Sequence, residues 1–119
     1  MSLLTSSAMN ELRQIFSDLL DYSSDEIMGP IDPLTYTWPE GDTCLHIAAM
    51  RGNVRAAELL LLAGLEIDQK GDLGNTALHY ASMFKHRNVF DLLIQMGAST
   101  DVLNELGTRS GEWKERGAN

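Results

Sequence analysis

The side chains best suited to chemistry in this chain are three histidines and one cysteine. His46 and His79 lie 33 residues apart in closely similar surroundings, whereas His86 has no obvious second ligand nearby. Repetition at one interval favours a structural role for His46 and His79, because one pattern then explains both. A thiol at the start of a helix can be acidified, but a free cysteine such as Cys44 is more often a small buried apolar residue.

The motifs of the chain do not indicate catalysis. It contains no Gly-x-Ser-x-Gly nucleophile elbow, phosphate-binding loop, dinucleotide fingerprint or zinc-protease helix. One cysteine forms no internal disulfide and no thiolate metal cluster. We therefore predict that the chain is not an enzyme and has no catalytic residues, no metal and no cofactor.

The length and the net charge of the chain restrict which kinds of molecule it is expected to bind. The chain has 119 residues, one domain's worth, with 44% hydrophobic and 22% charged residues, as in typical folded proteins. Nine Lys and Arg oppose 17 Asp and Glu, so the net charge is −8. Nucleic acids and anionic membranes are bound by basic surfaces and are both disfavoured, whereas a basic protein would be attracted. The lone cysteine and the lack of a secretory signal or a membrane-length apolar run favour a cytoplasmic protein.

The negative charge is distributed unevenly along the chain. Residues 1–37 contribute −5, residues 38–70 contribute −2, residues 71–103 contribute −1, and residues 104–119 are neutral. The acids of the first segment are interpreted either as a solvated helix face or as a docking patch for a basic partner.

The elements that position the histidines are revealed by an internal repeat. Residues 38–70 and 71–103 align without a gap, and ten of the 33 positions are identical, where average composition gives about two. The identities fall at turn, cap and core positions: Gly41/Gly74, Thr43/Thr76, Leu45/Leu78, His46/His79, Ala48/Ala81, Met50/Met83, Leu59/Leu92, Leu60/Leu93, Gly64/Gly97 and Asp68/Asp101. Chance does not explain this match.

Each unit is predicted to contain a turn, a short helix, a loop and a longer helix. The glycine before each threonine suits a turn with positive φ. Thr43 and Thr76 then cap a helix, and the histidine three residues later can reach back to the threonine, a relative of the capping box. The second helix is predicted over 53–62 and 88–95, and a glycine ends it in both units.

These units resemble the ankyrin repeat, whose motif is Gly-x-Thr-Pro-Leu-His-x-Ala-Ala, then a loop glycine, a Leu-Leu pair and Gly-Ala-Asp. Here the motif stands as Gly41-Asp42-Thr43-Cys44-Leu45-His46-Ile47-Ala48-Ala49 and as Gly74-Asn75-Thr76-Ala77-Leu78-His79-Tyr80-Ala81-Ser82. It departs from the family where Cys44 and Ala77 replace the proline and Lys85 replaces the loop glycine. The resemblance implies an all-α fold, an ankyrin-repeat solenoid of stacked helix-loop-helix units joined by β-turn fingers.

The two ends of the chain carry no complete repeat. Residues 104–119 begin like a third unit, but Gly111 and Glu112 stand where leucine and histidine are expected, which predicts a capping half-repeat. In residues 1–37, apolar residues recur at helical spacing up to residue 20, which predicts a helix ending near 21–24, with a further turn at 24–28. We expect the helix to cap repeat one, since stacked repeats need covered ends. Docking onto a partner or swapping between chains is the alternative.

The predicted organisation is one ankyrin-repeat domain over 1–119. It comprises an N-terminal helical cap (1–37), repeat one (38–70), repeat two (71–103) and a C-terminal capping half-repeat (104–119).

The resemblance also implies a concave binding surface at the turn tips and the ends of the first helices, positions that usually carry recognition in ankyrin units. Met50, Met83 and Phe84 are expected to form an apolar anchor rimmed by acids, because methionine and aromatic side chains are effective at interfaces. The alternative is that the cap helix or the loop around Lys85 covers them. The residues carried over are Glu40, Asp42, Met50 and Arg51, then Asp72, Leu73, Asn75, Met83 and Phe84, then Glu105, Leu106 and Thr108.

Together these features predict a non-enzymatic protein–protein interaction module that binds a partner, expected to be basic, through the concave surface. One version is a neutralising protein, an immunity protein or antitoxin that occludes a basic toxin or nuclease, which charge alone supports. The alternative is a self-associating adaptor or a regulatory subunit of a larger complex. Two full repeats are fewer than the three that stability usually requires, so a homo-oligomer is also considered.

Overall fold

The computed structural model of the protein describes residues 5–20 and 32–113. The predicted helix end at 21–24 and the predicted turn at 24–28 lie outside these ranges. Within them the all-α prediction is confirmed: two isolated β-bridges, Thr37–Thr43 and Leu103–Arg109, are the only strand-like pairings. The helices are α1 (Ser6–Ile15), α2 (Ser17–Leu20), α3 (Cys44–Arg51), α4 (Val54–Leu62), α5 (Ala77–Met83) and α6 (Arg87–Gln95), with a 3₁₀ turn at Asp72–Gly74.

The inner helices α3 and α5 begin at the two predicted threonine caps. The backbone N–H of Thr43 donates to Nδ1 of His46 at 2.9 Å, and that of Thr76 donates to Nδ1 of His79 at 2.9 Å. The Thr76 hydroxyl also accepts the backbone N–H of His79 at 3.3 Å. Each histidine therefore closes the first turn of its helix by satisfying a donor that a helix start leaves free.

The loops after α3 and α5 share one backbone conformation, although the residue that adopts it differs. α3 ends at Gly52, whose φ of 71° is left-handed. The equivalent residue of repeat two is Lys85, which adopts the same region with φ 63°. A side chain in that region costs about 1 kcal/mol, so repeat two keeps the loop shape of repeat one at some cost in stability.

The two units stack with inner helix on inner helix and outer helix on outer helix. α3 packs against α5 and α4 against α6, while α3–α4 and α5–α6 pair within their units. The alanines Ala48, Ala49 and Ala81 are fully buried, and their small size lets the inner helices approach closely. Leu60 and Leu93 occupy the same position of the two outer helices and are both fully buried.

The helix α1 occupies the place of an outer helix before repeat one. It packs against α4, as α4 packs against α6. Thr5 caps its start, accepting the backbone N–H of Ala8 at 3.1 Å. Leu12 and Phe16 are completely buried, so this segment is part of the hydrophobic core of the stack.

Three turns, which we call the fingers, connect the units at intervals of 33 residues. Backbone N–H to O bonds close them between residues 38 and 42 at 2.9 Å, 71 and 75 at 2.7 Å, and 104 and 108 at 3.1 Å. The third finger begins at residue 104, at the same 33-residue interval as the first two. No helix follows it in the described residues up to 113; instead, the Trp113 ring lies edge-on to Phe90 with centroids 5.0 Å apart.

Candidate functional site

The two repeated histidines occupy equivalent environments. Because each Nδ1 accepts a backbone N–H, the neutral ring carries its proton on Nε2. Nε2 of His46 donates to the carbonyls of Gln69 and Asn75 at 2.9 and 3.0 Å. Nε2 of His79 donates to the carbonyl of Thr108, the counterpart of Asn75, at 2.8 Å. The histidines tie each inner helix to the next finger.

Burial keeps both imidazoles uncharged near neutral pH. Loss of solvation lowers the pKa of His46, although the nearby Asp42 carboxylate acts in the opposite direction. The pKa of His79 is also lowered, mainly by burial and further by Lys70. Neutral rings with both nitrogens hydrogen-bonded are structural links, in agreement with the role predicted from the repeat.

Cys44 is completely buried. Its burial raises the pKa of the thiol to about 12, so the reactive thiolate is essentially absent near neutral pH. The prediction of a small buried apolar residue is confirmed.

The most exposed apolar side chains at the fingers and inner helix ends are Leu73, Met83, Phe84 and Leu106, which we call the apolar patch. Their exposed fractions are 50%, 48%, 45% and 77%. Leu73 and Leu106 occupy the same position of successive fingers, and the backbone N–H of Glu105 donates to the Leu73 carbonyl at 2.9 Å. These four side chains are therefore candidates for an interaction surface, because contiguous exposed apolar surface is typical of such sites.

Part of the apolar patch lines a cleft of about 200 Å³ between α5 and the third finger. Met83 and Leu106 provide apolar walls, while Lys85 and Arg109 place two cationic side chains at its border. The remaining lining residues are His79, Ser82, Asn104, Thr108 and Glu112. The cleft has the size of one or two amino-acid side chains.

The prediction that Asp42 and Asn75 face a partner is wrong. Both are buried. Asp42 accepts the Tyr80 hydroxyl at 3.0 Å and the backbone N–H of Asp72 at 3.0 Å, and the Asn75 amide oxygen accepts Nδ2 of Asn104 at 2.8 Å. Their side chains join neighbouring fingers, because a buried polar group must find its hydrogen bonds inside the protein.

The apolar anchor expected from the sequence lacks an exposed residue in repeat one. Met50 is half-buried and packs against the core, so it is not exposed as expected. Arg51 forms a two-pronged ion pair with Asp18, with N–O distances of 2.6 and 3.2 Å. Among the acids of the expected rim, Glu40 and Glu105 are exposed and Asp72 is half-buried.

Sequence reasoning missed two contacts that cross the stack. Nε2 of His86 lies 3.0 Å from the Met50 carbonyl, and its ring covers Gly52 so closely that a Cβ there would overlap it. Arg55 binds Glu11 of α1 at 2.9 Å as well as Glu58. For Arg55 and Glu11 the opposite charges were an available signal, but spacing along the chain does not pair residues 44 positions apart. The contact of His86 with a backbone carbonyl carries no such signal.

Neither a metal-binding group nor a membrane-spanning helix is found in the described parts of the chain. Residues 5–20 and 32–113 bring together no group of three or more His, Cys, Asp or Glu side chains able to hold a metal ion. Within the same ranges, the helices are too short and too polar to cross a membrane.

A stack of capped helix pairs joined by fingers is the architecture of an ankyrin-repeat protein. The family model for ankyrin repeats, which describes three copies, matches residues 4–104. The chain therefore belongs to the ankyrin-repeat family. The match takes in α1, in keeping with the packing of α1 on α4. No curated protein matches the chain.

Membership of this family makes the chain a protein–protein interaction module. Ankyrin-repeat proteins are typically non-enzymatic.

Proposed function

We propose that this protein binds a basic protein partner through the apolar patch and the acidic fingers beside it. The observation that carries the proposal is the repeated pairing of an acid with an exposed leucine at successive finger tips, Asp72-Leu73 and Glu105-Leu106. An apolar centre with a charged rim is the usual anatomy of a protein interface.

The backbone of Leu73 supports this assignment. Its φ of 57° is left-handed, although it is not a glycine. A leucine in that conformation costs about 1–2 kcal/mol, which a glycine at the same position would avoid. Strained residues are retained where the surrounding structure holds them for a purpose, and presenting an apolar side chain at a finger tip is such a purpose.

The charges around the patch define what the partner should carry. Glu40, Asp72 and Glu105 place a carboxylate on each finger, whereas Lys85 and Arg109 lie at the cleft beside Met83. A partner segment would insert an apolar side chain at Met83 and Phe84 and lay basic residues along the fingers. The net charge of −8 would steer such a partner toward the protein from a distance.

Selection from a random peptide display library tests the proposal without knowledge of the partner. We expect enrichment of peptides that combine an aromatic or long aliphatic residue with neighbouring Lys or Arg. Met83→Ala with Phe84→Ala should abolish their binding, because the contact centre is lost. The matched control is Leu62→Ala with Met96→Ala, which removes side chains of similar exposure, 43% and 38%, near the outer-helix ends. Enrichment of acidic peptides, or equal loss in the control, would contradict the proposal.

Salt provides a second measurement on the selected peptides. Added salt should slow association more than it speeds dissociation, because the acidic fingers act on the approaching partner. An association rate that is independent of salt would contradict the basic character of the partner.

The charge is also compatible with a narrower role, in which the protein neutralises a basic toxin or nuclease by covering its active surface. Inhibition of a purified basic nuclease by the wild-type chain, and not by the Met83→Ala and Phe84→Ala variant, would support this version. An adaptor role requires that the captured protein keep its activity in the complex.

A further inference from the structure

The cleft between α5 and the third finger has a charge opposite in sign to that of the whole chain. Lys85 and Arg109 are among its lining residues, together with one carboxylate, that of Glu112. His79 also lines the cleft, and burial lowers its pKa, so its ring adds no charge near neutral pH. Two cations and one carboxylate leave a formal charge of +1 at the cleft, whereas the chain carries −8.

The repeat does not require a cation at either position. The counterpart of Lys85 in repeat one is Gly52, and residue 109 stands where the two units carry the cap residues Thr43 and Thr76. Lys85 adopts a left-handed conformation with φ 63°, which glycine would adopt more readily. A cation therefore replaces a neutral residue at two separate positions that line one cleft, and the repeat pattern does not account for this coincidence.

Arg109 is the cation most available to a ligand. Its side chain is exposed, and it forms no ion pair or hydrogen bond with another residue of 5–20 or 32–113. The Lys85 ammonium lies 5.9 Å from the centre of the Trp113 ring, a contact that directs it toward the half-repeat. Because a guanidinium can bind a carboxylate through two parallel N–H to O bonds, the cleft is suited to an acidic group.

We propose that the cleft binds the carboxylate of an Asp or Glu side chain of the partner segment, next to the apolar residue that contacts Met83. This inference rests on the proposed function, because both side chains belong to the same segment. Met83 and Leu106 form the apolar walls of the cleft, and its volume of about 200 Å³ has room for one or two side chains. One carboxylate would neutralise the formal charge of the cleft.

The acid would also fix the direction of the partner segment. Its basic residues would lie along the fingers, where Glu40 and Asp72 supply carboxylates, and its acidic residue would lie at the cleft beside the third finger. Complementary charges of this kind set the register of an interface and reject partners with the reverse order. The cleft would thus act as a specificity determinant for the partner.

The third finger favours a side-chain carboxylate over a free C-terminus. C-terminal carboxylates are captured by groups of backbone N–H donors. Here the backbone N–H of every residue from 104 to 108 already donates to an oxygen of the protein, at 2.9–3.1 Å. A phosphate group, with a charge of about −2, would exceed the charge of the cleft and would meet the Glu112 carboxylate.

The peptide selection described above tests this inference. Peptides enriched by the wild-type chain should carry Asp or Glu next to the apolar residue and still have a net positive charge. The most enriched sequence is then synthesised with Glu and with Gln at that position, both with an amidated C-terminus. Fluorescence anisotropy titrations should show about tenfold tighter binding of the Glu peptide, because hydrogen bonds to charged groups are worth at least that factor.

Variants of the chain locate this preference in the cleft. Arg109→Gln should weaken binding of the Glu peptide about tenfold and leave the Gln peptide unaffected, whereas Arg109→Lys should keep most of the preference. The matched control is Arg13→Gln in α1, which removes another exposed arginine and should bind both peptides as the wild type does. If Arg109→Gln alters the circular dichroism spectrum, Lys85→Gln serves in its place.

Three results would overturn the inference. They are equal affinity of the wild-type chain for the Glu and Gln peptides, equal weakening of both peptides by Arg109→Gln, and the same loss in Arg13→Gln. Tighter binding of a phosphoserine peptide, or of a peptide whose free C-terminus is its only carboxylate, would also contradict it. Selection of apolar, basic peptides without an acid would refute this inference alone and leave the proposed function standing.

Discussion

The two ends of the stack are closed by different means. At the N-terminal end, α1 packs on α4, and Leu12 and Phe16 are completely buried. Ion pairs join Arg55 to Glu11 of α1 and Arg51 to Asp18 of α2. At the C-terminal end, a finger and the ring of Trp113 cover the last helix pair, and apolar side chains stay exposed. Fully buried apolar side chains thus close the N-terminal end, whereas large apolar side chains remain exposed toward the C-terminal end.

Removing a buried side chain from the core at the N-terminal end should cause the largest loss of stability. Phe16→Ala removes a fully buried ring and should lower the free energy of unfolding by about 3–5 kcal/mol. Trp113→Ala at the other end should cost about 1–2 kcal/mol, because that side chain is only half-buried. Urea unfolding of both variants measures the difference. Equal losses would show that the two ends are closed equally well.

Weakening the contacts between the first two fingers should cause the next largest loss of stability. Tyr80→Phe removes the hydroxyl that donates to the buried Asp42 carboxylate at 3.0 and 3.2 Å. Hydrogen bonds to charged groups contribute about 1.5–3 kcal/mol, so a loss in that range is expected. The second junction uses the neutral Asn75–Asn104 bond, and Asn104→Ala should cost less. A larger loss from Asn104→Ala would reverse the ranking of the junctions.

Acidic pH should destabilise the protein, because His46 and His79 link each inner helix to the next finger in their neutral form. Burial holds the pKa values of His46 and His79 below the ordinary value of 6.5. As the pH falls through about 6.5, the unfolded chain binds protons that the folded chain does not, so stability is lost below that pH and is complete above it. Unfolding curves at a series of pH values measure this slope. His46→Gln with His79→Gln should flatten it, and a slope that persists in this variant would have another origin.

Removing the ion pairs that join α1 and α2 to repeat one should have the smallest effect on stability. Arg51→Ala and Arg55→Ala remove exposed pairs with Asp18 and Glu11, and each should destabilise the protein less than Tyr80→Phe because water screens such pairs. Added salt should produce a loss in the same direction. The control is Arg13→Ala in α1, since Arg13 forms no ion pair with another described residue. Equal losses in all three variants would mean that charge pairing does not account for them.

The repeat, its helices and the role of its histidines could be predicted because their signals are local and occur twice. The Thr–His caps act over three residues, and the same motif at 33-residue spacing shows that both histidines have the same structural use. Even Lys85 keeps the left-handed conformation of its glycine counterpart, because the loop between the packed helices requires it.

The partners of the site residues could not be predicted in this way. Asp42 bonds to Tyr80, 38 residues later, and Arg51 pairs with Asp18 in a segment that carries no repeat signature. In the ankyrin pattern, Asp42 and Asn75 occupy variable positions, and the pattern does not record whether a neighbouring finger covers such a position. The apolar patch was partly predicted because Met83 and Phe84 stand at the outward end of the first helix of repeat two, a position that the repeat pattern itself identifies.

The deep burial of Cys44 has a practical consequence. With its pKa raised to about 12, this thiol should resist alkylation in the folded protein, since alkylating reagents attack the thiolate. A cysteine placed at Leu106, on the tip of the third finger, would then be the one site that a maleimide dye modifies. The native sequence thus allows a fluorescent reporter to be attached beside the proposed binding surface without first removing its own thiol.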